Sequence, residues 1–113
     1  MESKNLLDHA EAAAEFLALI GNEKRLSILV LLLDEEMTVG ALAEKVSLSQ
    51  SALSQHLAKL RSLDLVETRR DRQMIYYSCS SDAVRELLTT LDGIFSQEKT
   101  GSGKASDESL SRA

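Results

Sequence analysis

The stretch from Leu48 to Val66, LSQSALSQHLAKLRSLDLV, most limits what this chain can become. Leu53, Leu57 and Leu60 stand at the i, i+4, i+7 spacing of a buried helical stripe. At about 100° per residue, Ser51, Gln55 and Ser62 then point away from that stripe, with Ala58 near them and Ser54 to one side. No carboxylate occurs between Ser47 and Ser62. Most solvated helix faces are rich in Glu and Lys, whereas this one is short, uncharged or amide-bearing. Glutamine pairs bidentately with adenine N6 and N7, and serine pairs with several base edges, so a slim face of this kind suits the major groove. The competing reading of the stretch alone is an ordinary solvated helix.

Its neighbours decide between the two. Thr38 is placed to cap a short helix, Val39 to Val46, with Val39, Leu42, Ala43 and Val46 facing inward. Ser47-Leu48-Ser49 reads as a three-residue turn, with Ser49 as N-cap of the slim helix and Asp64 as its break. Two short helices joined this way are the helix-turn-helix pattern. The period then changes. Leu65 to Arg69 and Met74 to Ser78 are β-branched and aromatic, and Arg70-Asp71-Arg72-Gln73 lies between them, which predicts a hairpin with a basic tip. Such a tip is usually just a solvated loop. Directly after a helix-turn-helix it reads as a wing that lies along the phosphate backbone or dips into the minor groove.

Charge follows the same division. Residues 1–44 carry three basic and nine acidic groups, residues 45–79 six basic and three acidic, and residues 80–113 four basic and six acidic. The net charge of −5 argues against nucleic acid only as a total. The positive charge is confined to the slim helix and the hairpin, as on a phosphate-binding face set in an acidic body.

Upstream, Asn5 to Ile20 reads as one helix ended by Gly21, and Asn22 as the N-cap of a helix over Glu23 to Leu33. The second is apolar nearly all round and is expected to be the central buried helix; a buried strand is the alternative for so apolar a run. Ser80 and Ser81 precede a last helix reaching Gln97. The fold class is therefore mainly α with a small β-hairpin, a winged helix-turn-helix in the order α-α-α-α-β-β-α. Residues 1–97 form the domain, and the Gly/Ser/charge-rich residues 98–113 a disordered tail.

The first and last helices each carry an apolar stripe: Leu6, Leu7, Ala10, Ala13 and Leu17 on one, Leu87, Leu88, Leu91, Ile94 and Phe95 on the other. The core between them is too small to cover both, so the excess is expected to meet a second copy. In the alternative, both stripes pack on their own domain. A twofold pair would present two slim helices to half-sites about 34 Å apart on a palindromic operator.

These residues resemble the ArsR/SmtB winged-helix repressors. Ile20 to Leu29 carries that family's Arg-Leu-x-Ile-Leu pattern at Arg25, and Thr38-Val39-x-x-Leu42-Ala43 its next helix. Leu48 to Leu57 with Leu60-Arg61 matches the recognition helix, and Leu65-Val66, Arg69-Arg70 and Tyr76-Tyr77 match the wing. The resemblance implies a homodimer built on the first and last helices, binding operator DNA and mainly repressing. It puts Gln50, Ser51, Ser54, Gln55 and His56 where that family meets bases. It puts Thr38, Ser49 and Lys59 near phosphates, and Arg69, Arg70 and Arg72 in the wing.

The chain departs from the family's metal-sensing patterns. Val39 to Val46 has no Cys or His, and Asp82 to Gln97 has no His. His9, His56 and Cys79 lack ligand spacing, so neither metal nor cofactor is expected. Cys79, the single cysteine, reads as a small buried apolar residue at the hairpin–helix joint. A lone cysteine and the absence of a membrane-length apolar run or a signal sequence fit a cytoplasmic protein. No phosphate loop or nucleophile–His–acid set suggests an enzyme. The remaining alternatives are a winged helix that binds protein through its acidic surface, and an ArsR-type sensor with an unidentified effector.

Overall fold

The computed structural model describes residues 3–100, with side chains described over 5–96. In chain order the elements are α1 (Ser3–Asp8), α2 (Ala10–Ile20), α3 (Glu23–Asp34), β1 (Met37–Thr38), α4 (Val39–Val46), α5 (Gln50–Ser62), β2 (Glu67–Asp71), β3 (Met74–Ser78) and α6 (Asp82–Thr100). The chain divides into two compact units, the first ending at Ser81 and the second beginning with α6 at Asp82. The tail predicted over 98–113 lies, from residue 101 onward, outside the described residues.

The winged helix-turn-helix is present, with two changes from the expected order. The first predicted helix is two helices, because His9 leaves helical geometry (φ −113°, ψ 21°) and its N–H turns back to the Leu6 carbonyl at 3.1 Å. No proline or glycine forces that break. The hairpin also gains a third strand. The sheet order is β1-β3-β2, all antiparallel, with Met37 opposite Tyr77 and Thr38 opposite Tyr76. Two residues carry no readable alternation, so β1 exists only because β3 pairs with it. Along the hairpin the register runs from Glu67 opposite Ser78 to Asp71 opposite Met74. Arg70 and Asp71 thus belong to β2, and the tip shrinks to Arg72-Gln73, with Arg72 left-handed at φ 62°.

The core of the first unit is aliphatic. Ile28, Leu29 and Leu32 of α3 meet burial with Leu42, Ala43 and Val46 of α4, Leu53, Leu57 and Leu60 of α5, and Met37, Leu65 and Val66. Each fully buried Leu or Ile contributes about 1.5–3 kcal/mol from removal of apolar surface from water. α3 is buried on one side through Ile28, Leu29 and Leu32, but its apolar circumference is not covered all round. Val30 is 48% exposed, and Leu26 and Leu31 are half-buried. With Lys24, Ser27, Lys45, Val46 and Ser47 they line an open depression of about 450 Å³. A helix in a domain this small has too few neighbours to cover its whole circumference.

The helix boundaries have local causes. Asn22, Thr38 and Ser49 cap α3, α4 and α5 by accepting the N–H groups of Arg25, Ala41 and Ala52 at 3.0, 3.2 and 3.1 Å. Both helices of the helix-turn-helix end in the same closing motif. The Ser47 and Leu48 N–H groups donate to the Glu44 and Ala43 carbonyls at 3.3 and 3.0 Å. The Asp64 and Leu65 N–H groups donate to Arg61 and Leu60 at 2.9 and 3.0 Å. These are Schellman closures with a left-handed residue at the turning point. Glycine usually stands there; here it is Ser47 and Asp64, each at φ 58°. Gly21 ends α2 differently. Its φ is −75°, and an added Cβ would lie 3.0 Å from the Leu17 carbonyl oxygen, so closeness rather than handedness favours glycine.

Candidate nucleic-acid interface

The face of α5 follows directly from its anchoring stripe. Leu53, Leu57 and Leu60 are at most 1% exposed. That fixes the helix rotation, and Gln50, Ser51, Ser54, Gln55, Ala58, Lys59, Arg61 and Ser62 are all exposed. The Ser49 oxygen caps the helix, and its hydroxyl stands 3.3 Å from that of Ser51. Thr38 likewise spends an oxygen lone pair on its cap. A hydroxyl that accepts an N–H still has its own proton to donate, so both caps remain able to bond a phosphate oxygen. Gln50 reaches toward the start of α4, where a Cβ on Gly40 would lie 3.7 Å from its amide nitrogen.

His56 is half-buried on the flank of this face. Its Nδ1 lies 3.3 Å from an Arg25 guanidinium nitrogen. Guanidinium only donates, so Nδ1 is the acceptor and the ring proton sits on Nε2. Desolvation, and then the charges of Arg25 and Lys59, lower the imidazole below its ordinary value, which favours the neutral ring.

Arg25 and Lys24 are the residues that pattern reading missed. Both occupy the first turn of α3, where the helix macrodipole disfavours positive charge. Each reaches instead to the negative end of another helix. Arg25 Nε donates to the Leu19 carbonyl at 2.5 Å, and Lys24 Nζ donates to the Val46 carbonyl at 2.6 Å. Through these contacts α3 holds the last turns of α2 and α4 and the flank of α5. Two adjacent basic residues at a helix start were the available signal.

The three wing arginines are not equivalent. Arg69 donates to both Glu36 oxygens, from Nε at 2.8 Å and from Nη2 at 2.7 Å, and it lies 4.8 Å over the Tyr76 ring. Asp71 stands 3.8 Å away. Hydrogen bonds from Arg69 hold the Glu36 carboxyl below the usual carboxylate range, and the same pair keeps Arg69 firmly protonated. Among the described residues, Arg70 and Arg72 enter no salt bridge, and both are exposed. Ser80 donates to the Glu67 carboxylate at the base of the wing.

The stripes expected to meet a second copy are open in each unit. In the first, Leu6, Leu7 and Leu17 are 48%, 73% and 55% exposed, Ala10 is exposed and Ala13 half-buried. On α6, Ile94 and Phe95 are 47% and 44% exposed, Leu87 and Leu91 are half-buried, and Leu88 is buried. Cys79 is buried, and its N–H donates to the Leu32 carbonyl at 3.2 Å. Among the described residues no His, Cys, Asp and Glu side chains gather in a group able to hold a metal ion. No helix there is long and apolar enough to cross a membrane.

Comparison with known proteins gives a consistent picture. The family model "Bacterial regulatory protein, arsR family" matches residues 22–68, from the cap of α3 into β2. The chain is 60% identical over 91 residues to "Nodulation protein NolR" of Rhizobium meliloti, covering 80% of this chain and 75% of that one. It is 41% identical over 97 residues to "Transcriptional activator HlyU" of Vibrio cholerae, covering 86% and 90%. The crystal structure of NolR from Sinorhizobium fredii superposes with a TM-score of 0.75 at 58% identity, covering 83% of this chain and 92% of that one.

Proposed function

The chain belongs to the arsR family of bacterial regulatory proteins, DNA-binding transcription factors, and from that premise we propose that it binds a palindromic operator as a homodimer and mainly represses. The observation that carries this reading is the α5 face. It is exposed, free of carboxylates, and held in rotation by three buried leucines. Ser51, Ser54 and Gln55 read base edges, with Gln50 and His56 at the margins. Thr38, Ser49 and Lys59 meet phosphates beside the recognition helix, and wing arginines meet the backbone beyond it.

Similarity to NolR supports nodulation and related genes as the regulated set. HlyU is named an activator, so the sign of regulation belongs in the test. Selection of bound sequences from a random duplex pool is expected to return a palindrome with half-sites about one helical turn apart. Affinity for it should fall linearly on a log–log plot against salt as counterions are released. A flat salt response, or equal affinity for palindrome and random duplex, refutes operator binding. The recovered palindrome placed over a reporter promoter then reads repression or activation.

A further inference from the structure

In the sequence Arg69 stands with Arg70 and Arg72 as an expected wing contact to the DNA backbone. The structure separates them. Alternation along β2 puts Arg69 on one face with Glu67 and Asp71, and Arg70 on the other. From β2, the Arg69 guanidinium crosses over Tyr76, its register partner on β3, and ends on Glu36, the residue before β1. One side chain therefore spans all three strands in their order β1-β3-β2. It does so with both Glu36 oxygens engaged and an aromatic ring beneath it. Isolated surface ion pairs contribute little, but a bidentate, stacked arginine is the geometry in which they do count. The strand that most needs it is β1, whose two residues offer few ladder bonds of their own.

We propose that Arg69 is a positioning residue, a bolt from β2 across Tyr76 to Glu36 that sets the wing's angle, and that Arg70 and Arg72 alone carry the wing's phosphate contacts. The proposal rests on the operator-binding reading above. It makes a counter-intuitive claim about Glu36. Removing this negative charge weakens binding to a polyanion, because the carboxylate serves by holding the wing.

Two mild variants separate bolt from contact. Glu36→Gln removes a charge and keeps the shape. Arg69→Lys keeps the charge and loses the planar fork and the stacking. Binding is measured on the palindrome recovered by selection, in a duplex of about 30 base pairs, long enough for two half-sites. Each variant is expected to weaken binding by about three- to tenfold with the salt slope unchanged, and the double variant to be no worse than either. A separate readout needs no DNA: amide exchange over residues 70–75 of the free protein should quicken in both variants. The proposal is overturned if Glu36→Gln binds as tightly as the parent or tighter, if Arg69→Lys behaves as the parent, or if wing exchange is unchanged. If the parent itself binds no duplex, operator binding fails, and the exchange result alone decides whether the bolt exists.

Discussion

Gln55 and Arg70 are both exposed and polar, yet they are expected to fail differently. Gln55→Ala should lose discrimination at one or two base pairs, at about 1–3 kcal/mol for a bidentate contact. Arg70→Ala should weaken specific and random duplexes alike and lower the salt slope by about one per wing, about two for the dimer. Competition binding against single-base variants of the palindrome checks the first, and a salt titration checks the second; uniform loss for Gln55→Ala removes it from base readout. His56 gives a pH effect of definite sign. Its folded value is lowered, so its contribution to stability is complete above the ordinary imidazole value of about 6.5 and is lost as pH falls through the lowered one. Denaturant midpoints at about pH 7.5 and about pH 5.5 should therefore drop more for the parent than for His56→Gln, which accepts from Arg25 without titrating. Equal drops remove His56 from the linkage.

At the scale of elements, the helix-turn-helix depends on its stripe and its closures. Leu57 is 1% exposed, so Leu57→Ala should cost about 2–5 kcal/mol, whereas Ser54→Ala on the open face of the same helix should stay within about 0.5 kcal/mol. Urea unfolding of both measures the contrast, and comparable losses mean that α5 is not anchored by this stripe. Ser47 holds left-handed backbone that favours glycine, so Ser47→Gly should raise the unfolding free energy by up to about 1 kcal/mol, read as a higher urea midpoint with the slope unchanged. A lower midpoint points to a role for the Ser47 side chain beyond the closure. Neither closure carries the glycine that usually marks a helix stop. Asp64 was legible as a break, because Asp tolerates this conformation better than most residues. The wing was legible as two β-rich runs, but its turn was drawn two residues too long. Arg70 and Asp71 look like loop chemistry in isolation, and only the pairing of Arg70 with Ile75 and Asp71 with Met74 puts them in the ladder.

For the whole molecule, the open stripes predict a dimer. Phe95 is 44% exposed in the single chain, so Phe95→Glu should leave each copy folded while dissociating the pair and abolishing operator binding. Sedimentation and circular dichroism together check this, and an unchanged dimer moves the interface elsewhere. What the chain order by itself determined was whatever depends on near neighbours: three N-caps, the α4–turn–α5 pair, the Leu53/Leu57/Leu60 rotation and the basic middle segment. Periodicity and capping act over a few residues, so a linear reading captures them. Tertiary structure alone decided β1, the reach of Lys24 and Arg25 to other helices, the open side of α3, and the separation of Arg69 from its neighbours. Each of these depends on groups far apart in sequence meeting in space. Arg69 and Glu36, 33 positions apart, carry no mark along the chain that they form one contact.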